Sequence, residues 1–236
     1  MHTSRFIAAA LVLAACAPRT APPATTAAAP SAANASRGAP QLDRFEAEIA
    51  RFEESDRGAP PTRGGILFVG SSSIRLWPSL ASDFPGLPVL NRGFGGSTIL
   101  EVNHYVPRIV LPYRPRMIVL YAGDNEIAAG RAPEQVADDY RTFVGLVRPS
   151  LPSTRIVFIS VKPSPSRWAF NSQVRETNRL VRAMMATDPL QSFVDVFTPM
   201  LGADGHPRAE LFVADSLHMT PQGYAVWRNR LTSIVR

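Results

Sequence analysis

The chain of 236 residues contains one cysteine, Cys16, and one lysine, Lys162. A lone cysteine excludes an internal disulfide and demands another explanation in a chain that leaves the cytoplasm. With lysine almost absent, the net charge of +6 rests on arginine, and the arginines are scattered. Nucleic-acid binders carry their basic residues in a stripe or patch, so no nucleic-acid partner is expected. The apolar run from Phe6 to Ala15 is too short to cross a bilayer as a helix. Internal repeats are lacking as well. What is abundant is apolar character, at 45% of residues, enough for one ordinary domain with a sizeable core plus tails.

Arg5 followed by the Phe6–Ala15 run has the proportions of a secretory signal. It ends in Leu13-Ala14-Ala15-Cys16, which resembles a bacterial lipobox: small residues for the peptidase, then the cysteine that becomes lipidated. Residues 1–15 are therefore expected to be removed and Cys16 to carry acyl chains that anchor the protein in the membrane. By the sorting rule that this resemblance implies, Ala17 gives no signal for inner-membrane retention, so an outer-membrane anchor facing the periplasm is expected. Residues 16–40 are Ala, Pro, Thr and Ser without periodicity, a composition that cannot bury enough apolar surface to order itself and reads as an extended tether. Residues 41–236 are left for the folded domain. It opens with Leu42, Phe45, Ile49 and Phe52 at helical spacing, an amphipathic helix expected to pack on the domain.

The stretch Ile66-Leu67-Phe68-Val69-Gly70-Ser71-Ser72-Ser73 is an apolar run that stops at a glycine and delivers three serines. It reads as a buried strand ending in a turn, with a helix from about Ile74 to Phe84 behind it. A serine there is either a nucleophile at a strand end, where open α/β sheets place their ligands, or a cap for the helix. Strands follow at Pro88–Asn91, Met117–Tyr121, Arg155–Ser160 and Phe193–Val196. Between them stand helices near Thr98–Leu111, after Pro133 to about Pro149, and over Asn171–Ala186, and a last helix is entered through Pro221. Strands alternating with helices predict a parallel sheet covered on both faces.

Such a sheet brings strand-end residues to one edge. Ser72 after the first strand, Gly96 after the second, Asn125 after the third, and Asp215 with His218 before the last helix converge there. These are the residue types that acyl transfer needs. A serine hydroxyl becomes a nucleophile when a histidine takes its proton. An aspartate holds that imidazole in the right tautomer, and a glycine N–H with an asparagine amide can stabilise the oxyanion.

Four blocks carry a resemblance to a known family: Gly70-Ser71-Ser72-Ser73, Asn91-Arg92-Gly93-Phe94-Gly95-Gly96, Gly123-Asp124-Asn125-Glu126 and Asp215-Ser216-Leu217-His218. In this order they resemble the SGNH hydrolases of the GDSL esterase/lipase superfamily, over about Gly64 to Arg236. The spacing of the first two blocks resembles that of the catalytic subunits of intracellular platelet-activating-factor acetylhydrolase, which implies a fold relationship but not that substrate. The resemblance implies a flavodoxin-like three-layer α/β/α fold on a five-stranded parallel sheet, no metal or other cofactor, and ester hydrolysis through an acyl-enzyme. It aligns Ser72 with the family's serine, ahead of Ser73, and gives a Ser72-His218-Asp215 triad with Ser72 N–H, Gly96 and Asn125 as oxyanion donors. Ser71 stands where the family has aspartate.

The expected substrate is a small-molecule short acyl ester, acetyl foremost; an acetylated glycan and a lysophospholipid are the alternatives. Two rivals are a non-catalytic lipoprotein that binds a glycan or lipid in the same cleft, and a flavodoxin-like phosphate-binding domain. Asp195 is the rival acid and His206 the rival base, although a loop histidine is usually just exposed. His104 is expected at the surface. Arg167 and Trp168 are placed at the pocket rim, and Tyr121 and Phe94 in the core or pocket wall. Oligomeric state is left open.

Overall fold

The structure, a computed structural model, describes Met1 and residues 42–236. Residues 2–15 of the leader, the tether 16–40 and Cys16 lie outside the described residues, as does Gln41. A short 3-10 turn, Leu42–Phe45, leads into α1, Glu46–Gly58. The alternating part follows: β1 Ile66–Gly70, α2 Ser72–Arg75, α3 Leu80–Asp83, β2 Val89–Gly93, α4 Ile99–Ile109, β3 Met117–Tyr121 and α5 Asp124–Ala128. It continues with α6 Pro133–Val147, β4 Arg155–Ile159, α7 Asn171–Met185, β5 Gln191–Val194 and α8 Pro221–Val235. The five strands are all parallel, in the order β2-β1-β3-β4-β5.

Every residue of β1 and β3 is buried, because both faces of the sheet are covered, as the apolar runs predict. Side chains alternate between the two faces. Leu67 and Val69 join Ile49, Val102, Val106, Phe143 and Val181 from α1, α4, α6 and α7 in one core. Ile66 and Phe68 join Ile74, Trp77, Trp227 and Leu231 in the other. These two cores make the three-layer α/β/α sandwich. Each fully buried side chain such as Phe68 contributes on the order of 1.5–3 kcal/mol.

Two elements differ from the sequence expectation. The single helix over Ile74–Phe84 is instead two short pieces, α2 and α3. Pro78 lies between them; a proline keeps the preceding residue, Trp77, out of the helical region and has no N–H to continue the ladder. The last strand sits two residues earlier than expected. Beyond Val194 the chain leaves the sheet because the Ser160 hydroxyl accepts from the N–H groups of Val196 (2.9 Å) and Phe197 (3.1 Å).

Strand order reverses between the adjacent strands β1 and β3: the chain passes from β1 outward to β2 on one side and from β3 outward to β4 and β5 on the other. In doubly wound sheets this switch point opens the ligand crevice at the carboxyl ends of the strands. Ser72 follows β1 and Asn125 follows β3, so the two residues flank that crevice.

Candidate active site

The turn that carries Ser72 is forced by Gly70. Its φ is +133°, and a Cβ at this position would lie 1.9 Å from the Tyr121 carbonyl oxygen on the neighbouring strand. Only glycine lets the chain pass there. Ser71 then donates its N–H to the same carbonyl at 2.9 Å, and Ser72 opens α2. Ser71 occupies the cap position, yet its side chain makes no capping hydrogen bond; its hydroxyl is buried without a partner among the described residues. The helix-cap reading of the serines is thereby set aside. Ser73 is also buried, and Ser72 is the serine that faces the imidazole.

The loop between Phe212 and Met219 is closed by an antiparallel bridge between those two residues. Within it, Asp215 Oδ1 accepts the N–H groups of Leu217 and His218, both at 2.9 Å. Asp215 Oδ2 lies 2.5 Å from His218 Nδ1, and His218 Nε2 lies 3.0 Å from Ser72 Oγ. Hydrogen bonds from the His218 side chain and from the His218 and Leu217 N–H groups pull the Asp215 carboxyl down to about 2. The carboxylate therefore stays ionised and fixes Nδ1 as the protonated nitrogen, which leaves Nε2 free to accept from the serine.

Gly96 and Asn125 line the same cleft as Ser72 and His218, an open crevice of about 470 Å³. Among the described residues, neither the Ser72 nor the Gly96 N–H finds a protein acceptor. The Asn125 amide is oriented by its neighbours. Arg167, which can only donate, places Nη2 2.9 Å from Oδ1; the Ser97 carbonyl, which can only accept, sits 3.0 Å from Nδ2. The amide NH2 must therefore lie on the Ser97 side.

Two supports of these donors escaped the sequence reading. The loop that carries Gly96 is held by Arg44, whose Nη2 donates to the Gly96 carbonyl at 3.0 Å while its guanidinium pairs with Glu101. Glu101 in turn forms a capping box with Thr98 at the start of α4. Phe45 packs edge-on against Phe94 at 4.9 Å, so the segment before β1 is part of the site's scaffold. Behind Asn125 lies a buried ion pair, Lys162 Nζ to Asp124 Oδ2 at 3.2 Å, with Arg167 Nη1 3.1 Å from the same oxygen. Burial alone would raise the Asp124 carboxyl, but the charges of Lys162 and Arg167 outweigh it and hold it below its ordinary value. Burial also holds Lys162 below the usual lysine value, against the pull of Asp124. The available signal was the single lysine of the chain, placed just past β4.

The rival residues fall elsewhere. Asp195 accepts from the Thr198 N–H at 3.0 Å, and the Arg230 guanidinium holds its carbonyl. His206 is exposed and leans on Trp168, ring centroids 5.4 Å apart. His104 is partly exposed and pairs with Asp43 at 3.3 Å. Tyr121 and Phe94 are fully buried. Arg167 reaches the cleft, whereas Trp168 packs against Phe197 at 6.5 Å. Among the described residues, no three His, Cys, Asp or Glu side chains gather as a metal ion would require.

Comparison with known proteins finds relatives in sequence and in fold. The sequence profile of the GDSL-like Lipase/Acylhydrolase family matches residues 62–226. Platelet-activating factor acetylhydrolase IB subunit alpha1 of Bos taurus is 30% identical over 170 residues, 67% of this chain and 69% of that protein. The Homo sapiens protein of the same name is 29% identical over 171 residues, 67% and 70% of the two chains. A solved GDSL-like lipase from Bacteroides thetaiotaomicron superposes with a TM-score of 0.64 at 18% identity, over 83% of this chain and 97% of its own.

Proposed function

Because the chain belongs to the GDSL-like lipase/acylhydrolase family and so is a hydrolase acting on esters, we propose that it removes a short acyl group, acetyl foremost, with Ser72 as nucleophile. The observation that carries this reading is the unbroken series of contacts from Asp215 to His218 (2.5 Å) and from His218 to Ser72 (3.0 Å). His218 Nε2 takes the Ser72 proton as Oγ bonds to the ester carbonyl carbon. The resulting oxyanion receives hydrogen bonds from the N–H groups of Ser72 and Gly96 and from Asn125 Nδ2. As the tetrahedral species collapses, the imidazolium returns its proton to the departing alcohol oxygen. Water, deprotonated by His218, then attacks the acyl-enzyme, and the carboxylic acid leaves with Ser72 restored.

Acyl length is argued from the walls of the cleft. Its lining is mostly polar or glycine, and Leu217 is its only large apolar side chain among the described residues. A long acyl chain would need an apolar trough to leave water. The curated relatives carry acetylhydrolase in their names, in keeping with a small acyl group.

Rates on p-nitrophenyl esters from acetate to decanoate are expected to fall with chain length. Ser72→Ala is expected to lose on the order of a million-fold in turnover and all labelling by a fluorophosphonate probe. A Ser72→Ala variant that kept its activity would overturn the assignment, and a wild type that the probe leaves unlabelled would favour the non-catalytic binding protein. The envelope location rests on the Leu13-Ala14-Ala15-Cys16 motif. Metabolic labelling with an alkyne fatty acid, lost in Cys16→Ala, tests it.

A further inference from the structure

Ser72 is the first residue of α2 and Arg75 the last; positions three apart share a helix face. Both side chains accordingly line the same cleft. The Arg75 guanidinium lies against Gly95, where a Cβ would come within 2.8 Å of Nε and 3.0 Å of Nη2. A glycine at 95 thus makes room for a cation next to the oxyanion donor Gly96.

What sets Arg75 apart from Arg44 and Arg167 is that it is unspent. Arg167 is engaged by Asn125 and Asp124, and Arg44 by Glu101 and the Gly96 carbonyl. Among the described residues the Arg75 guanidinium makes no hydrogen bond. The nearest carboxylate, Glu48 Oε1, is 4.0 Å from Nε, the outer limit of an ion pair, and the side chain is 47% exposed. Such a contact in water contributes little. Arg51, one helical turn beyond Glu48 on α1, is exposed and lines the cleft as well. Among the described residues, two uncommitted arginines and one glutamate therefore line the cleft that holds Ser72. A guanidinium is always charged and presents a planar fork that fits the oxygens of a carboxylate or a phosphate.

We propose that the ester cleaved here carries an anionic group, carboxylate or phosphate, on its alcohol part, and that Arg75 binds that anion with Arg51 in support. The anion is assigned to the alcohol because the acyl group of the proposed reaction is short and uncharged. The proposal rests on Ser72 being the nucleophile, and its test separates the two.

The measurement is kcat/KM on 4-acetoxybenzoate and 4-acetoxyphenyl phosphate, each relative to the neutral methyl 4-acetoxybenzoate. Changes in that ratio between variants cancel the intrinsic reactivity of each ester. The wild type is expected to favour at least one of the anions, the larger ratio telling carboxylate from phosphate, and to lose that preference as salt is raised. Arg75→Leu is expected to lower the ratio about ten- to a hundredfold, the range of a hydrogen bond to a charged group. Arg75→Lys keeps part of it, and Glu48→Gln raises it by removing the competing carboxylate. A ratio that Arg75→Leu leaves unchanged, or that Glu48→Gln lowers, overturns the anion site while leaving the nucleophile in place. If the wild type hydrolyses none of the three esters, the reading of Ser72 fails instead. Calorimetric binding of 4-hydroxybenzoate and phenyl phosphate then decides the anion site, which stands if Arg75→Leu weakens binding and falls if it does not.

Discussion

Arg167 donates Nη2 to Asn125 Oδ1 at 2.9 Å, and with this contact it turns the asparagine NH2 toward the Ser97 side of the cleft. Arg167 is itself held by Asp124, at 3.1 Å. An oxyanion donor is effective only when it is oriented before charge develops, so the proposed role of Asn125 makes Arg167 a positioning residue. Arg167→Leu is expected to lower kcat about tenfold with little change in KM, against a hundred- to a thousandfold for Asn125→Ala. In the Asn125→Ala background, Arg167→Leu should cost nothing further in kcat. Additive losses in this double-mutant cycle would show that Arg167 acts by another route.

Lys162 and Asp124 form an ion pair that is almost wholly out of water. Removing one partner of such a pair costs about 3–5 kcal/mol when the other is stranded; Arg167 still faces Asp124 at 3.1 Å, which puts the loss here at the lower end of that range. Lys162→Met is expected to lower stability by about that amount in urea denaturation, and Lys162→Met with Asp124→Asn to recover part of it. A double variant less stable than Lys162→Met would count against the pair as the cause.

Glu126 is completely buried beside Asn125, and it accepts the Ile99 N–H at the start of α4 while its second oxygen has no partner among the described residues. Burial pushes its carboxyl from the ordinary 4.5 up to about 8. A folded-state value above the unfolded one means that stability is complete below about 4.5 and is lost as pH rises to about 8, by on the order of 5 kcal/mol across the window. Glu126→Gln cannot ionise and escapes this loss. Its stability relative to wild type is expected to grow between pH 4.5 and 8 and to level off above; a constant difference would refute the assignment.

Ser71 stands where the family has aspartate, and its buried hydroxyl is without a partner among the described residues. An orphaned buried hydroxyl costs about 1–3 kcal/mol. Ser71→Ala is expected to leave stability equal or higher, with kcat/KM within about twofold of wild type, since the backbone N–H to Tyr121 is untouched. A large loss of activity in Ser71→Ala would mean that the hydroxyl has a role in the reaction.

The fold was legible because its signals are local. Runs such as Ile66–Val69 and Met117–Tyr121 are apolar throughout, and only a strand buried on both faces explains that in so few residues. The split of α2 from α3 was legible too, in Pro78, but the apolar spacing around it masked the break. The Asp215–His218 pairing is set by a turn of four residues, so its geometry follows from the sequence spacing. Arg44, Lys162 and Arg75 were missed because their roles depend on which loops meet. Arg44 reaches Gly96 across 52 residues of chain and Lys162 reaches Asp124 across 38, and no periodicity records such distances.

By itself the sequence determined the parallel sheet, the strand ends at which chemistry is placed, and the set of residue types able to perform acyl transfer, because apolar runs, glycine turns and short motifs act over a few residues. The tertiary structure decided which of three serines meets the imidazole, across 146 residues, how the Asn125 amide is turned, and which arginines around the cleft are engaged by neighbours. Those outcomes depend on strand register and on competition among long-range partners, and both exist only once the sheet has closed.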